Sequence, residues 1–299
     1  MGDKLPAPVS APGATAADLE AHSPTEIKAG AQKTPTTTAS SSSSLTDEID
    51  LSYAYIPLLI YCLVSGLSDS VAFNAAGVFV SMQTGNTIFL ALGASHLPAA
   101  QPRLWLKALV SIACFQAGAF CFSQFRHFGS QKRKVVLFIS CFIQAALVVI
   151  AAALAQAAVI PAFADSKLST IEESATREAQ ANDFIVLCPL ALLAFQFGGQ
   201  IYTSRVLGYG EVPTNVLTSL YCDLFSDPKL FAPLTTNAKR NRRVAAAILT
   251  LVGGIAGGWL QRSRAGMPGA LWIAAALKLA IAVAWLVWPA KRKVEKKET

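Results

Sequence analysis

Six apolar stretches, each close to twenty residues long, recur along this 299-residue chain and decide its fold class. They run from Ile56 to Ala75, Leu104 to Phe125, Val135 to Ile160, Phe184 to Ser204, Val244 to Gln261 and Gly269 to Trp288. A helix needs about 20 apolar residues to cross the hydrocarbon core of a bilayer, where every backbone polar group must be paired internally. Composition agrees: 53% of residues are hydrophobic and 14% charged, against about 25% charged in soluble domains. A soluble globular domain, a collagen-like fibre and a secreted disulfide scaffold are excluded. The expected fold is all-α, a polytopic membrane helix bundle. Trp105, Trp259, Trp272, Trp285 and Trp288 fall near the ends of the stretches, where amphipathic rings favour the headgroup zone.

Residues 1–52 are of another kind. They are rich in Ala, Ser, Thr and Pro, carry three Lys against seven Asp and Glu, and contain few large apolar side chains. Such a segment cannot bury enough surface to offset its ordering entropy and reads as a disordered tail. It has the pattern of neither a secretory signal nor a transit peptide. Residues 53–290 then form the membrane domain, and 291–299 a basic C-terminal tail.

Two further apolar segments are interrupted. Ala76 to Ala94 is broken by Gln83-Thr84-Gly85-Asn86-Thr87, and Val212 to Phe225 is short and contains Pro213, Asn215 and Asp223. Loop charge bears on their topology, because Lys and Arg accumulate on the cytoplasmic side. If neither segment crosses, three basic clusters share one face: Arg126 with Lys132-Arg133-Lys134, Lys229 with Lys239-Arg240 and Arg242-Arg243, and the run from Lys291. Six spans with both termini in the cytoplasm follow. The order span, interrupted segment, span, span then occurs twice, at about 56–160 and 184–288. With three spans each, the two copies are inverted repeats, and interruptions at corresponding positions are a pointer to a transporter's binding site.

Gly66-Leu67-Ser68-Asp69-Ser70, followed by Phe79 to Thr87 with its Thr84-Gly85-Asn86, resembles the YoaK-like family of multi-pass membrane proteins, catalogued as domain of unknown function 1275. That family has a Gly-x-x-Asp element, a Thr-Gly-Asn element and a weaker Thr-Gly-Thr echo in the second half. Gly66, Asp69, Thr84, Gly85 and Asn86 match. The echo falls at Thr218-Ser219-Leu220, where the glycine is missing, while Asp223 matches a family acid. The resemblance covers about residues 53–290 and implies a membrane fold; it supplies no substrate.

Read physically, Gly85 can take backbone angles closed to other residues, and Thr84 and Asn86 offer donors and acceptors where a helix is broken. Pro213, Thr214 and Asn215 can do the same in the second half, so that both breaks face one polar cavity; Thr-Gly-Asn also suits an ordinary turn and helix cap. Asp69 and Lys278 are ionisable groups inside spans, where each costs at least ~2.5 kcal/mol unless paired or solvated. An Asp69 to Lys278 ion pair answers both costs, and a snorkelling Lys278 is the alternative. Asp223 suits a cavity or an interface equally. Gln196 and Gln200 share a helix face and suit helix-to-helix hydrogen bonding, as do Gln116, Gln144 and Gln156. Gly253, Gly254, Gly257 and Gly258 form overlapping Gly-x-x-x-Gly patterns for close packing, within the chain or in a homo-oligomer.

The six cysteines show no Cys-x-x-Cys spacing, the three histidines form no metal cluster, and there is no phosphate-binding loop or nucleophile elbow. No cofactor and no enzymatic activity are expected. The basic loops flank spans and lack interleaved aromatics, so they suit anionic lipid rather than nucleic acid. The function best matched is a secondary transporter or permease of a small polar or anionic solute. The alternative is a non-transporting scaffold that organises lipids or partners through its Gly-rich helix.

Overall fold

The computed structural model describes residues 44–99, 101–164 and 179–291. The tail up to residue 43, the acidic loop with Glu172, Glu173 and Glu178, and the basic residues after Lys291 lie outside these.

Among the described residues, six helices are long and apolar enough to cross a membrane. They are α1 (Tyr55–Ala76), α3 (Leu104–Ser123), α4 (Lys134–Gln156), α6 (Leu187–Leu207), α8 (Ala238–Arg262) and α9 (Gly266–Val287). Between them lie the short helices α2 (Gln83–Gly93), α5 (Pro161–Ala164) and α7 (Leu217–Phe225). Helix α8 starts six residues before its apolar stretch. Its basic first turns are held by protein: Arg240 donates to the carbonyls of Leu230 and Ala232, while Arg242 binds Glu211 at 2.8 Å and covers the rings of Tyr55 and Tyr209.

Contacts along the helices fix their directions. Leu63, Leu67 and Asn74 of α1 meet Gly253, Gly257 and Gln261 of α8 in ascending order, so the two are parallel. Helices α3 and α6 are parallel as well, with Gly118 against Phe195 and Phe122 against Gly199. Helices α4 and α9 are antiparallel, with Gln144 at Lys278 and Gln156 at Trp272. Tyr61 meets Cys141, and Gln144 meets Thr203. Helices α1, α4 and α8 therefore run one way and α3, α6 and α9 the other.

Glycine allows the closest crossings. A methyl group on Gly66 would overlap the carbonyl oxygen of Thr250, and one on Gly253 that of Leu63. Gly118 and Gly198 meet Phe195 and Phe115 in the same way. Of the Gly-x-x-x-Gly patterns, Gly253 and Gly257 pack on α1 of the same chain, whereas Gly258 faces open space.

One end of the bundle, the near face, is closed by the segment before α1. The Ile49 amide donates to the Lys132 carbonyl, the Asp50 amide to Pro289, and the Lys291 amide to Glu48. The amides of Lys134 and Val135 donate to Asp47 and Leu45. Ile49 is buried beneath this clasp, which places the residues before the first span and after the last at the same end. The described members of all three basic clusters lie there too. Behind α7, Asp227 accepts from Asn237 at 3.0 Å and from the Lys229 amide at 2.9 Å. These bonds, with Arg243 nearby, hold its carboxyl below the usual carboxylate range. A group whose folded pKa is depressed stabilises above its unfolded value and stops doing so as pH falls through the folded one. Protection of the amides across 227–241, relative to their intrinsic exchange at each pH, is therefore expected to fall on acidification below the ordinary carboxylate range, and not to do so in Asp227→Asn.

Candidate functional site

Both interrupted segments enter the bundle and return, and the breaks lie ahead of the short helices. Helix α1 stops at Gly77 and α6 at Gly208, each with left-handed backbone (φ 75° and 81°) that favours glycine. The chain then turns back into the protein. The first loop, 78–82, reaches Asp69, seven residues inside the end of α1, or about 10 Å at helical rise. From there α2 climbs back alongside α3, from Ser111 at its start to Trp105 at its end.

A loop at this depth needs a partner for each backbone group. Asp69 Oδ1 accepts from the amides of Val80 and Ser81, both at 2.8 Å, and its Oδ2 from Ser81 Oγ at 2.5 Å. Asn86 Oδ1 accepts from the Phe79 amide at 3.0 Å, and its Nδ2 donates to the Phe79 carbonyl at 2.6 Å. Gln83 donates to the Val80 carbonyl. Asp69 and Asn86 are thus the two clamps of the first loop.

This corrects the expectation for Thr84-Gly85-Asn86. They form the first turn of α2 rather than a break, Gly85 is helical, and a side chain there would press on the Phe79 ring. Gly85 provides space, not unusual backbone angles, and Thr84 is exposed.

The second loop follows α6 and enters from the near face. Val212, Pro213, Thr214 and Asn215 are all buried. Asn215 Oδ1 accepts from Gln200 Nε2 at 2.9 Å, from Ser65 Oγ at 3.3 Å and from Thr214 Oγ1 at 2.8 Å, and its Nδ2 donates to the Phe197 carbonyl. Thr214 takes φ 57° to bring its hydroxyl there. Asp223 is placed elsewhere: its side chain is 55% exposed and stands 3.8 Å from Arg243. It belongs to the surface of α7 and not to the interior.

The two loops, coming from opposite ends, therefore attach to α1 at Ser65 and Asp69, one helical turn apart. Around that turn lie polar atoms with no hydrogen-bond partner among the described residues: Ser68 Oγ, both amide atoms of Gln196, and Gln200 Oε1. Ser68 and Gln196 are fully buried. Because α1 and α6 are antiparallel, the steps from Ser65 to Ser68 and from Gln200 to Gln196 lead the same way, towards Asp69. Gln200 forms the helix-to-helix bonds expected of it; Gln196 does not.

Lys278 does not meet Asp69. Each is bound to neutral groups, and no ion pair joins them among the described residues. Lys278 lies midway along α9, fully buried, and donates to Gln144 Oε1 at 3.0 Å. Its ammonium stands 4.6 Å from the ring centre of Tyr61 and 5.3 Å from that of Phe197. An ammonium has three donors, and ring faces satisfy a cation without neutralising it. Tyr61 links the two regions, since its carbonyl accepts from Gln200. Sequence reasoning passed over Ser65, Ser68 and Tyr61 as parts of this cluster. Two serines within three residues of an apolar helix were the available signal.

No curated protein and no solved structure matches this chain. Over residues 58–284 it matches the family described as "Protein of unknown function (DUF1275)". That range takes in both buried loops and every residue of the central cluster, and the chain belongs to this family.

Proposed function

We propose that this protein is a non-enzymatic secondary transporter or permease for a small polar or anionic solute, with its site where the two buried loops converge on α1 and α6. One observation carries the reading: loops from opposite ends attach one turn apart beside fully buried polar atoms that have no partner among the described residues. Nearly all buried polar groups in folded proteins are satisfied, so a group of exceptions fits a place where solute or water completes the bonding. Broken helices at mid-membrane are the usual setting of such sites.

The helix pairing supports the inverted-repeat reading of 56–160 and 184–288. Exchanging the two halves carries the α1 and α8 pair onto α6 and α3, and returns α4 and α9 to themselves. Asp69 and Gln200 each lie eight residues before the glycine that ends their helix, and each binds the loop that follows. The concentration of Lys and Arg at the near face favours its being cytoplasmic, with both termini there. The scaffold alternative has less to stand on, because Gly253 and Gly257 are already used within the chain.

The test is Gln196→Leu in purified proteoliposomes. Leucine keeps the approximate volume and removes polar atoms that bind nothing among the described residues, so accumulation and thermal stability are expected to hold or rise. Solute flux is expected to fall by roughly tenfold or more, the scale of losing a hydrogen bond to a desolvated ligand. Unchanged flux in this variant, or no flux of any polar or anionic solute in the natural protein, would sink the proposal.

A further inference from the structure

Lys278 has a second polar side, facing away from the loops. Gln144, which holds its ammonium through Oε1, has its amide nitrogen 3.4 Å from both Ser140 Oγ and Thr203 Oγ1. Those two hydroxyl residues line a cavity of about 20 Å³ between the near-face ends of α3, α4 and α6, whose other walls include Phe122, Gln131 and Tyr202. This is room for about one water molecule. Gln131 precedes Lys132, Arg133 and Lys134, and Arg126 is exposed on the same loop. A polar line therefore runs from a basic surface through a small cavity and two hydroxyls to Gln144 and a buried cation. Among the described residues no acid stands within ion-pairing distance of Lys278 at its inner end.

We infer that Lys278 is the binding group for a small monovalent anion that reaches it from the near face, between α3, α4 and α6. The inference rests on the transporter reading and names its substrate class. Charge of one sign at a narrow mouth raises the local concentration of the opposite ion. The bonds from Gln144 to Ser140 and Thr203 are long, and Tyr61 donates its hydroxyl to Cys141 Sγ, a weak acceptor. An anion displacing Gln144 from the ammonium would therefore find the hydroxyls of Ser140 and Tyr61 ready to donate with little given up, while Thr203 Oγ1, which donates to the Gly199 carbonyl at 2.9 Å, would turn from that bond. The cavity admits an ion little larger than water and excludes a sugar acid. Asp69, a buried carboxyl of the central region, is fully engaged by the first loop and does not compete for the ammonium.

The experiment is thermal unfolding of the purified full chain in nitrate, chloride or gluconate at equal ionic strength. A ligand bound only by the folded state raises the midpoint as its concentration passes the dissociation constant. Nitrate and chloride are expected to raise it and gluconate not. Lys278→Gln is expected to weaken the apparent nitrate affinity by about tenfold or more, as removal of a buried opposite charge would. Should Lys278→Gln fail to fold, the Ser140→Ala, Thr203→Val double variant retains the lysine, and a reduced nitrate shift is expected from it. Equal shifts in all three salts, or a nitrate shift unaltered by Lys278→Gln or, where that chain does not fold, by the double variant, would overturn the inference. Flux that depends on Gln196 without any anion shift would reject the anion and keep the transporter; an anion shift without flux would do the reverse.

Discussion

Replacing Gly118 or Gly66 by alanine is expected to cost about 3 kcal/mol or more, at or above the upper end of overpacking penalties. Net stabilities are only about 5–15 kcal/mol. The reason is where the added methyl lands. At Gly118 it meets the carbonyl oxygen of Phe195, and at Gly66 that of Thr250. These are main-chain atoms of a facing helix and cannot swing aside as a side chain can, so α3 must leave α6, or α1 must leave α8. Each displacement also strips a loop from its anchor, because α1 carries Ser65 and Asp69 and α6 carries Gln200. Leucine at either position is expected to yield no folded protein. Gly258→Leu is the control: it lies in the same Gly-rich run, faces open space and is expected to be tolerated. Yield and melting temperature in detergent compare the three; leucine is the better helix former, so equal loss at Gly258 would mean that crossing distance does not govern.

The second large effect is expected at Asp69. Alanine there leaves the amides of Val80 and Ser81 and the Ser81 hydroxyl without an acceptor, all three at a depth where water is scarce. An unmet buried donor costs about 1–3 kcal/mol, so the sum is roughly 3 kcal/mol or more. Asp69→Asn keeps one oxygen for the two amides and turns a donor towards a hydroxyl that can accept, so it is expected to lose far less. Hydrogen exchange at Val80 and Ser81 separates these outcomes. Fast exchange in the alanine variant and near-natural protection in the asparagine variant are expected. If both variants exchange alike, charge rather than acceptor count holds the loop.

Much of this architecture could be read from the chain, and the reason is physical. A span needs length and apolarity, both of which are written locally, and all six appear within a few residues of their expected ends except α8. Its start moved because Arg240 and Arg242 find carbonyls, rings and Glu211 that no local pattern announces. Pro213-Thr214-Asn215 was legible as a break because proline cannot donate and asparagine can stand in for backbone. Thr84-Gly85-Asn86 misled, since the same residues suit a turn and a helix start, and only the partner of Asn86, seven residues back, distinguishes them. Asp69 was recognisable as a buried acid needing company. Its company proved to be two amides of an ordinary loop, which leave no mark in the sequence. Lys278 was found for the same reason and assigned the wrong partner for the same reason.

The clasp of Glu48, Ile49 and Asp50 has a bearing on biogenesis. These residues leave the ribosome before the six spans, yet two of their main-chain partners, Pro289 and Lys291, follow the sixth. The near end thus stays unsealed until α9 has threaded and docked. A chain halted short of Pro289 carries the segment from Glu48 to Asp50 with the Asp50 amide and the Glu48 carbonyl short of these partners.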